Sequence, residues 1–150
     1  MSLQPGDAAP DIKTASFQLS KLKGKTVVLF FFPKADTPGC TKESCEFRDA
    51  SKQFAKKDAE IVGVSPDKAE AQAKFAQKYK LPYTFVPDPE HSIAEAYGVW
   101  KEKSMYGRKY MGIERSTFVI DPKGKIAKIF AKVKPEGHAA QVIESLANTA

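Results

Sequence analysis

The chain has 150 residues, 42% hydrophobic and 28% charged, which is enough apolar material for a packed core and too much for a disordered segment. Its net charge of +6 comes almost wholly from lysines mixed with acids, as in Lys56-Lys57-Asp58-Ala59-Glu60 and Lys101-Glu102-Lys103, beside only three arginines, Arg48, Arg108 and Arg115. That pattern reads as a solvated surface and argues against nucleic acid, whose footprint clusters cations on one face. No apolar run approaches the roughly 18 residues that span a bilayer. The opening Met1 to Asp7 has neither the basic nor the apolar region of a secretory signal, so the expected address is the cytoplasm.

After a short segment at Phe17 to Leu22, the run Val27 to Phe32 is short, β-branched and aromatic and predicts a buried strand ending at Pro33. Thr37 is placed as an N-cap and Pro38 at the first helical position of a helix over 38–56, with Cys45, Phe47 and Phe54 among its apolar positions. Glu60 to Ser65 predicts a second core strand. Ser65-Pro66-Asp67 is expected to cap a helix running to Tyr79, whose buried face carries Ala69, Ala73, Phe75 and Ala76. A strand at Thr84 to Asp88 and a short helix from His91 to Tyr97, stopped by Gly98, come next.

Trp100 to Gly112 is polar, aromatic and glycine-punctuated, and reads as a long loop or irregular hairpin. Ser116 to Asp121 and Ile126 to Val133 flank the turn Pro122-Lys123-Gly124-Lys125 and predict a β-hairpin. Pro135 is expected to open the last helix, with Ala139, Val142, Ile143 and Leu146 as its buried stripe. Strands alternating with helices imply a single α/β domain over residues 1–150 with a largely parallel sheet. A thioredoxin-like fold is compatible with this order, as are other small α/β folds.

The chemistry centres on two cysteines five residues apart. Cys40 falls in the first helical turn, where unpaired N–H groups and the helix dipole favour an anion, so a thiol there is favoured as the reactive thiolate. Pro33 and Pro38 stiffen the approach, Gly39 admits another molecule to the backbone, and Thr37 offers a hydroxyl nearby. The competing reading is an inert buried cysteine. On an intact helix Cys40 and Cys45 would have Cα atoms about 8–9 Å apart, beyond the ~7 Å reach of a disulfide. Bonding them would require the first turns to unwind; alternatively Cys45 is simply a core-facing residue.

A zinc site needs about four ligands, and His91 and His138 stand far apart in no ligand-spaced motif, so both are expected at the surface or at a helix cap. A Cys-x-x-Cys redox motif is absent. Arg115, immediately before a strand, is either a solvated charge or a fixed donor to an anion such as a thiolate. Trp100, Tyr106, Tyr110 and Met111 suit an apolar rim but are read as ordinary loop packing. A redox-sensing or chaperone-like binding protein would carry the same cysteine pair.

The string Phe32-Pro33-Lys34-Ala35-Asp36-Thr37-Pro38-Gly39-Cys40-Thr41-Lys42-Glu43-Ser44-Cys45-Glu46-Phe47-Arg48-Asp49 resembles the peroxiredoxins, in particular the bacterioferritin comigratory protein or peroxiredoxin Q subfamily. Tyr97 to Trp100 and Gly112 to Asp121 are similar to it too. The resemblance implies a thioredoxin-like α/β fold with a central mixed sheet flanked by helices. It implies a thiol peroxidase acting on hydrogen peroxide and organic hydroperoxides, without metal or cofactor. Cys40 would be the peroxidatic and Cys45 the resolving cysteine. Thr37 and Arg115 would bind peroxide and stabilise the thiolate, and Pro33 and Gly39 would belong to the pocket. Thioredoxin or a glutaredoxin-like thiol would recycle a monomer. On this reading Arg115→Ala slows peroxide attack at little cost to the fold.

Overall fold

A computed structural model describes residues 3–15 and 17–147. Five strands form the central sheet: β1 (Thr26–Phe31), β2 (Ala59–Ser65), β3 (Thr84–Pro87), β6 (Ser116–Ile120) and β7 (Ile126–Phe130), in the order β3-β2-β1-β6-β7. β1 pairs in parallel with β2 and β2 with β3, whereas β6 runs antiparallel to both β1 and β7. The sheet is therefore mixed, not largely parallel. The hairpin turn at 121–125 returns the chain beside β6, and no helical crossover intervenes there.

Every residue of β1 from Val27 onward is buried because both faces of the sheet are covered. Alternation splits the strand between two cores. Val28, Phe30 and Phe32 pack with α1 (Pro38–Asp49), α2 (Ser51–Lys56), α3 (Ala69–Tyr79) and α5 (His138–Ala147) through Phe47, Phe54, Phe75 and Val142. Val27, Leu29 and Phe31 pack on the other side with Ile12, Leu19, Tyr97 and Val99, around α4 (Ser92–Ala96). Phe30 stacks on Phe47 with centroids 4.7 Å apart, and Phe47 meets Phe54 at 5.7 Å. Each such pair adds about 0.5–1.5 kcal/mol beyond burial, so α1 is anchored through its C-terminal half.

Several elements differ from the sequence-based expectation. The helix expected over 38–56 breaks at Ala50 (φ −95°, ψ 0°), giving α1 and α2. Helix α3 starts at Ala69 with Lys68 at its N-cap, because the Asp67 carboxylate is engaged elsewhere, accepting from Ala35 N at 2.7 Å and Ser65 Oγ at 2.8 Å.

Residues 100–113 form a regular hairpin of β4 (Trp100–Met105) and β5 (Arg108–Ile113). Its two turn residues, Tyr106 and Gly107, both take positive φ (51° and 76°), the pattern that matches strand twist. Tyr106 is 97% exposed, and Tyr110 and Met111 are exposed too, so they are not packed loop residues. β7 ends at Phe130, short of the expected Val133. The last helix begins at His138, not Pro135, since Gly137 at φ +78° turns the chain just before it.

Candidate active site

The loop between β1 and α1 is tethered on both sides. Ala35 N is held by Asp67, and Asp36, itself at φ +61°, accepts from Lys78 Nζ at 2.9 Å and Tyr79 Oη at 2.8 Å at the end of α3. Those bonds, that from Lys78 foremost, hold the Asp36 carboxyl below the usual carboxylate range. Pro33 lies half-buried at the start of this loop. Thr37 does occupy the N-cap position of α1, but its side chain does not cap the helix; Oγ1 donates back to Lys34 O at 2.8 Å. The first-turn N–H groups of Gly39 and Cys40, which have no acceptor within the helix, are left for an incoming oxygen.

Cys40, the third residue of α1, is fully buried with a free thiol. Arg115 reaches it from the start of β6, Nη2 donating to Cys40 Sγ at 3.2 Å. Its other amine, Nη1, donates to Glu43 Oε1 at 2.6 Å. A Cβ on Gly39 would sit 3.3 Å from Arg115 Nη2 and 3.4 Å from Pro135 Cγ, so the glycine makes room for the guanidinium. The structure thus brings Cys40, Gly39 and Arg115 into contact, with Thr37 and Pro33 on the adjoining loop. Cys45 stands apart. It is half-buried and free, on the unbroken helix, with Arg48 and Tyr83 as its charged and titratable neighbours. Tyr83 Oη donates to Ser44 O at 2.7 Å, pinning the helix beside it.

Glu43 is a site residue the sequence reading passed over. It is 0% exposed, and its Oε2 has no hydrogen-bond partner among the described residues. Burial pushes its carboxyl up to about 7, Glu46 adding to the shift and Arg115 opposing it. The spacing held a signal: Glu43 lies three residues after Cys40 and four before Phe47, on the same buried stripe. A carboxyl raised in the folded state binds its proton more tightly there than when unfolded. Its contribution to stability is full below pH 4.5 and fades as pH rises through 7, by on the order of 3 kcal/mol. Urea unfolding of wild type and Glu43→Gln at pH 5 and pH 8 checks this. Wild type is expected to lose stability relative to the variant across that interval, and a constant difference would contradict the shift.

His138 is fully buried, contrary to the surface expectation. Its Nε2 lies 2.7 Å from Thr117 Oγ1 and its Nδ1 3.3 Å from Gln141 Oε1, and its ring meets Phe47 edge-on. Burial keeps it below the usual imidazole range, so it is a neutral peg between α5, β6 and α1. His91 precedes α4 at the N-cap position and stacks on Trp100 at 4.0 Å. Among the described residues no group of three or more His, Cys, Asp or Glu is placed to hold a metal, and no helix is long and apolar enough to cross a membrane.

The sequence model of the AhpC/TSA family matches residues 5–129. The chain belongs to the AhpC/TSA family. It is 47% identical to peroxiredoxin Bcp of Bacillus subtilis over 151 aligned positions, covering 97% of this chain and 96% of that one.

Among solved structures it is similar to BcpB of Mycobacterium tuberculosis at 35% identity and TM-score 0.86, over 99% of each chain. It is similar also to the bacterioferritin comigratory protein of Xanthomonas campestris, whose structures were described for alkyl peroxide reduction. There the identity is 37% and the TM-score 0.85, over 89% of this chain and 85% of that one. The peroxiredoxin is thus of the Bcp or peroxiredoxin Q kind, a thiol-dependent peroxidase with a thioredoxin-type fold.

Proposed function

We propose that residues 1–150 act as one thioredoxin-like domain that reduces hydrogen peroxide and organic hydroperoxides at Cys40 and resolves the oxidised cysteine with Cys45. The observation that carries the assignment of Cys40 is the 3.2 Å bond from Arg115 to a fully buried sulfur at the start of α1. A guanidinium and open helix N–H groups are the donors a thiolate and a departing oxygen both need.

The thiolate of Cys40 attacks the terminal oxygen of the hydroperoxide. The S–O bond forms as the O–O bond breaks, and the departing oxygen takes a proton to leave as water or alcohol. Thr37, whose hydroxyl keeps its acceptor lone pairs, and Arg115 orient the peroxide in this step. Pro33 and Gly39 shape the approach. Cys40 is left as a sulfenic acid. The Cys45 thiolate then attacks that sulfur, an S–S bond forms, and the sulfenic oxygen leaves as water.

On helical geometry Cys40 and Cys45 start about 8–9 Å apart at Cα, so the disulfide requires the first turns of α1 to unwind. Phe47, fully buried against Phe30, stays as the anchor at which unwinding stops. Thioredoxin or a glutaredoxin-like dithiol returns both cysteines to thiols by exchange. An intrachain disulfide needs no second subunit, so the cycle is proposed for a monomer in the cytoplasm.

Cys45→Ser tests the division of labour. It is expected to consume one equivalent of peroxide as fast as wild type in a stopped-flow trace of Trp100 fluorescence, and then to show no thioredoxin-driven turnover. A loss of the first oxidation equal to that of Cys40→Ser would contradict the roles.

A further inference from the structure

Two acidic groups and one cation meet in the buried site. The Cys40 sulfur and the Glu43 carboxyl are both 0% exposed, and the single guanidinium of Arg115 is bonded to both. Buried charge that is left unbalanced is costly, so either Glu43 keeps its proton whenever Cys40 ionises, or a second cation stands close by.

The β4–β5 hairpin brings one. Lys103 on β4 lies opposite Tyr110 on β5, sharing a face with Gly112 and Met105. Tyr110 Cε2 and Lys103 Cδ lie 3.4 Å and 3.5 Å from where a Cβ on Gly112 would sit, so the lysine stem and the tyrosine ring cover the glycine together. Other lysines of the hairpin are spoken for: Lys101 pairs with Glu114 at 3.2 Å and Lys109 with Glu102 at 3.6 Å. Lys103 has no carboxylate within ion-pair distance among the described residues, and it is half-buried. Lys103 shares its side of β4 with Lys101, whose Nζ reaches Glu114, the residue before Arg115, at 3.2 Å, so it lies on the hairpin's site-facing side. Arg115, Glu114 and Cys40 are the charged and titratable groups that act on its ammonium. Burial and then Arg115 push it below the ordinary lysine range, with Glu114 and Cys40 pulling the other way.

We infer that Lys103 is a positioning residue for the peroxidase reaction, supplying the second positive charge that lets Cys40 stand as a thiolate while Glu43 is ionised. The inference rests on Cys40 being the reacting cysteine. Nothing in the bond-making step passes through Lys103, which does not touch the sulfur or the peroxide.

The test uses the Cys45→Ser background, so that Cys40 is the one thiol. It compares Lys103→Gln and Lys103→Arg by the rate with hydrogen peroxide and by the pH profile of alkylation with iodoacetamide. Groups facing the site that also titrate or carry charge are Arg115, Glu114, Glu43, Glu46 and, from α5, His138. Lys103→Gln is expected to slow the peroxide reaction about tenfold at neutral pH, the scale of one unit charge acting through a partly screened site. Its alkylation profile should move to higher pH, and its rate should converge on that of the background at alkaline pH. Lys103→Arg should restore both, and adding Glu43→Gln to Lys103→Gln should recover much of the neutral-pH rate by removing the excess anion.

A Lys103→Gln protein with rate and profile within twofold of the background would overturn the inference. So would a loss that persists at alkaline pH and is not rescued by arginine. Should Cys40→Ser still consume peroxide, the assignment of Cys40 itself falls, whatever Lys103→Gln does.

Discussion

Replacing Cys40 by serine is expected to abolish hydroperoxide reduction while leaving the fold intact. A serine hydroxyl does not ionise near neutral pH, and an oxygen is a poor nucleophile toward a peroxide O–O bond, whereas a thiolate carries a polarisable lone pair at full charge. The structure keeps this substitution clean. Cys40 is fully buried, but Arg115 Nη2 stands within hydrogen-bond reach at 3.2 Å, so a serine oxygen there would still have a donor. Cys45, whose neighbours are Arg48 and Tyr83 and not Arg115, has no such arrangement to take over the reaction. Peroxide consumption with dithiothreitol as reductant should fall to the buffer background with an unchanged circular dichroism spectrum. Residual consumption at even a tenth of the wild-type rate would mean that the reacting group lies elsewhere.

Arg115→Ala is expected to have two separable effects. Peroxide reduction should fall by about 10²–10³, the cost of removing one preorganised donor from a site where charge develops. Stability should fall as well, by about 3 kcal/mol at pH 8, because buried Glu43 then has no cation and must take up a proton against the solution pH to stay in place. The sequence reading anticipated the first effect but not the second, since only the structure pairs Arg115 with Glu43 at 2.6 Å. The double variant Arg115→Ala/Glu43→Gln should therefore regain most of the stability and none of the rate. Urea unfolding and stopped-flow oxidation read the two effects separately. If the rate of Arg115→Ala stays within twofold of wild type, Arg115 does not serve the reacting sulfur.

Much of this was legible where the information is local. The β1 run of Val27 to Phe32, the Thr37-Pro38 helix start and the 116–130 hairpin are all written in short-range pattern, and all appear at or near their expected bounds. The placement of Cys40 in a first helical turn needed no tertiary information either. What escaped was settled by contacts between distant segments. Asp67 looked like a helix cap, but its carboxylate is drawn 32 residues back along the chain to Ala35 N.

Glu43 and Lys42 are neighbouring charges in a polar helix with nothing between them in composition. Helical spacing puts Glu43 on the buried stripe of Cys40 and Phe47 and Lys42 off it, but only the meeting of Glu43 with Arg115, 72 residues away, shows how a carboxyl is accommodated there. His138, on α5, resembled a surface histidine because its partner Thr117 sits on β6, 21 residues away. The hairpin that carries Lys103 was read as irregular because its turn uses Tyr106 where an asparagine or aspartate would have signalled positive φ.

The central claim is that Cys40 and Cys45 form one intrachain redox couple despite standing apart on an intact helix. Intact-mass measurement of the reduced protein, seconds after one equivalent of hydrogen peroxide, tests it most directly. The account predicts a monomer lighter by two hydrogens, formed through a transient species heavier by one oxygen. An unchanged mass, a stable oxygen adduct in the wild-type protein, or a disulfide-linked dimer would contradict it.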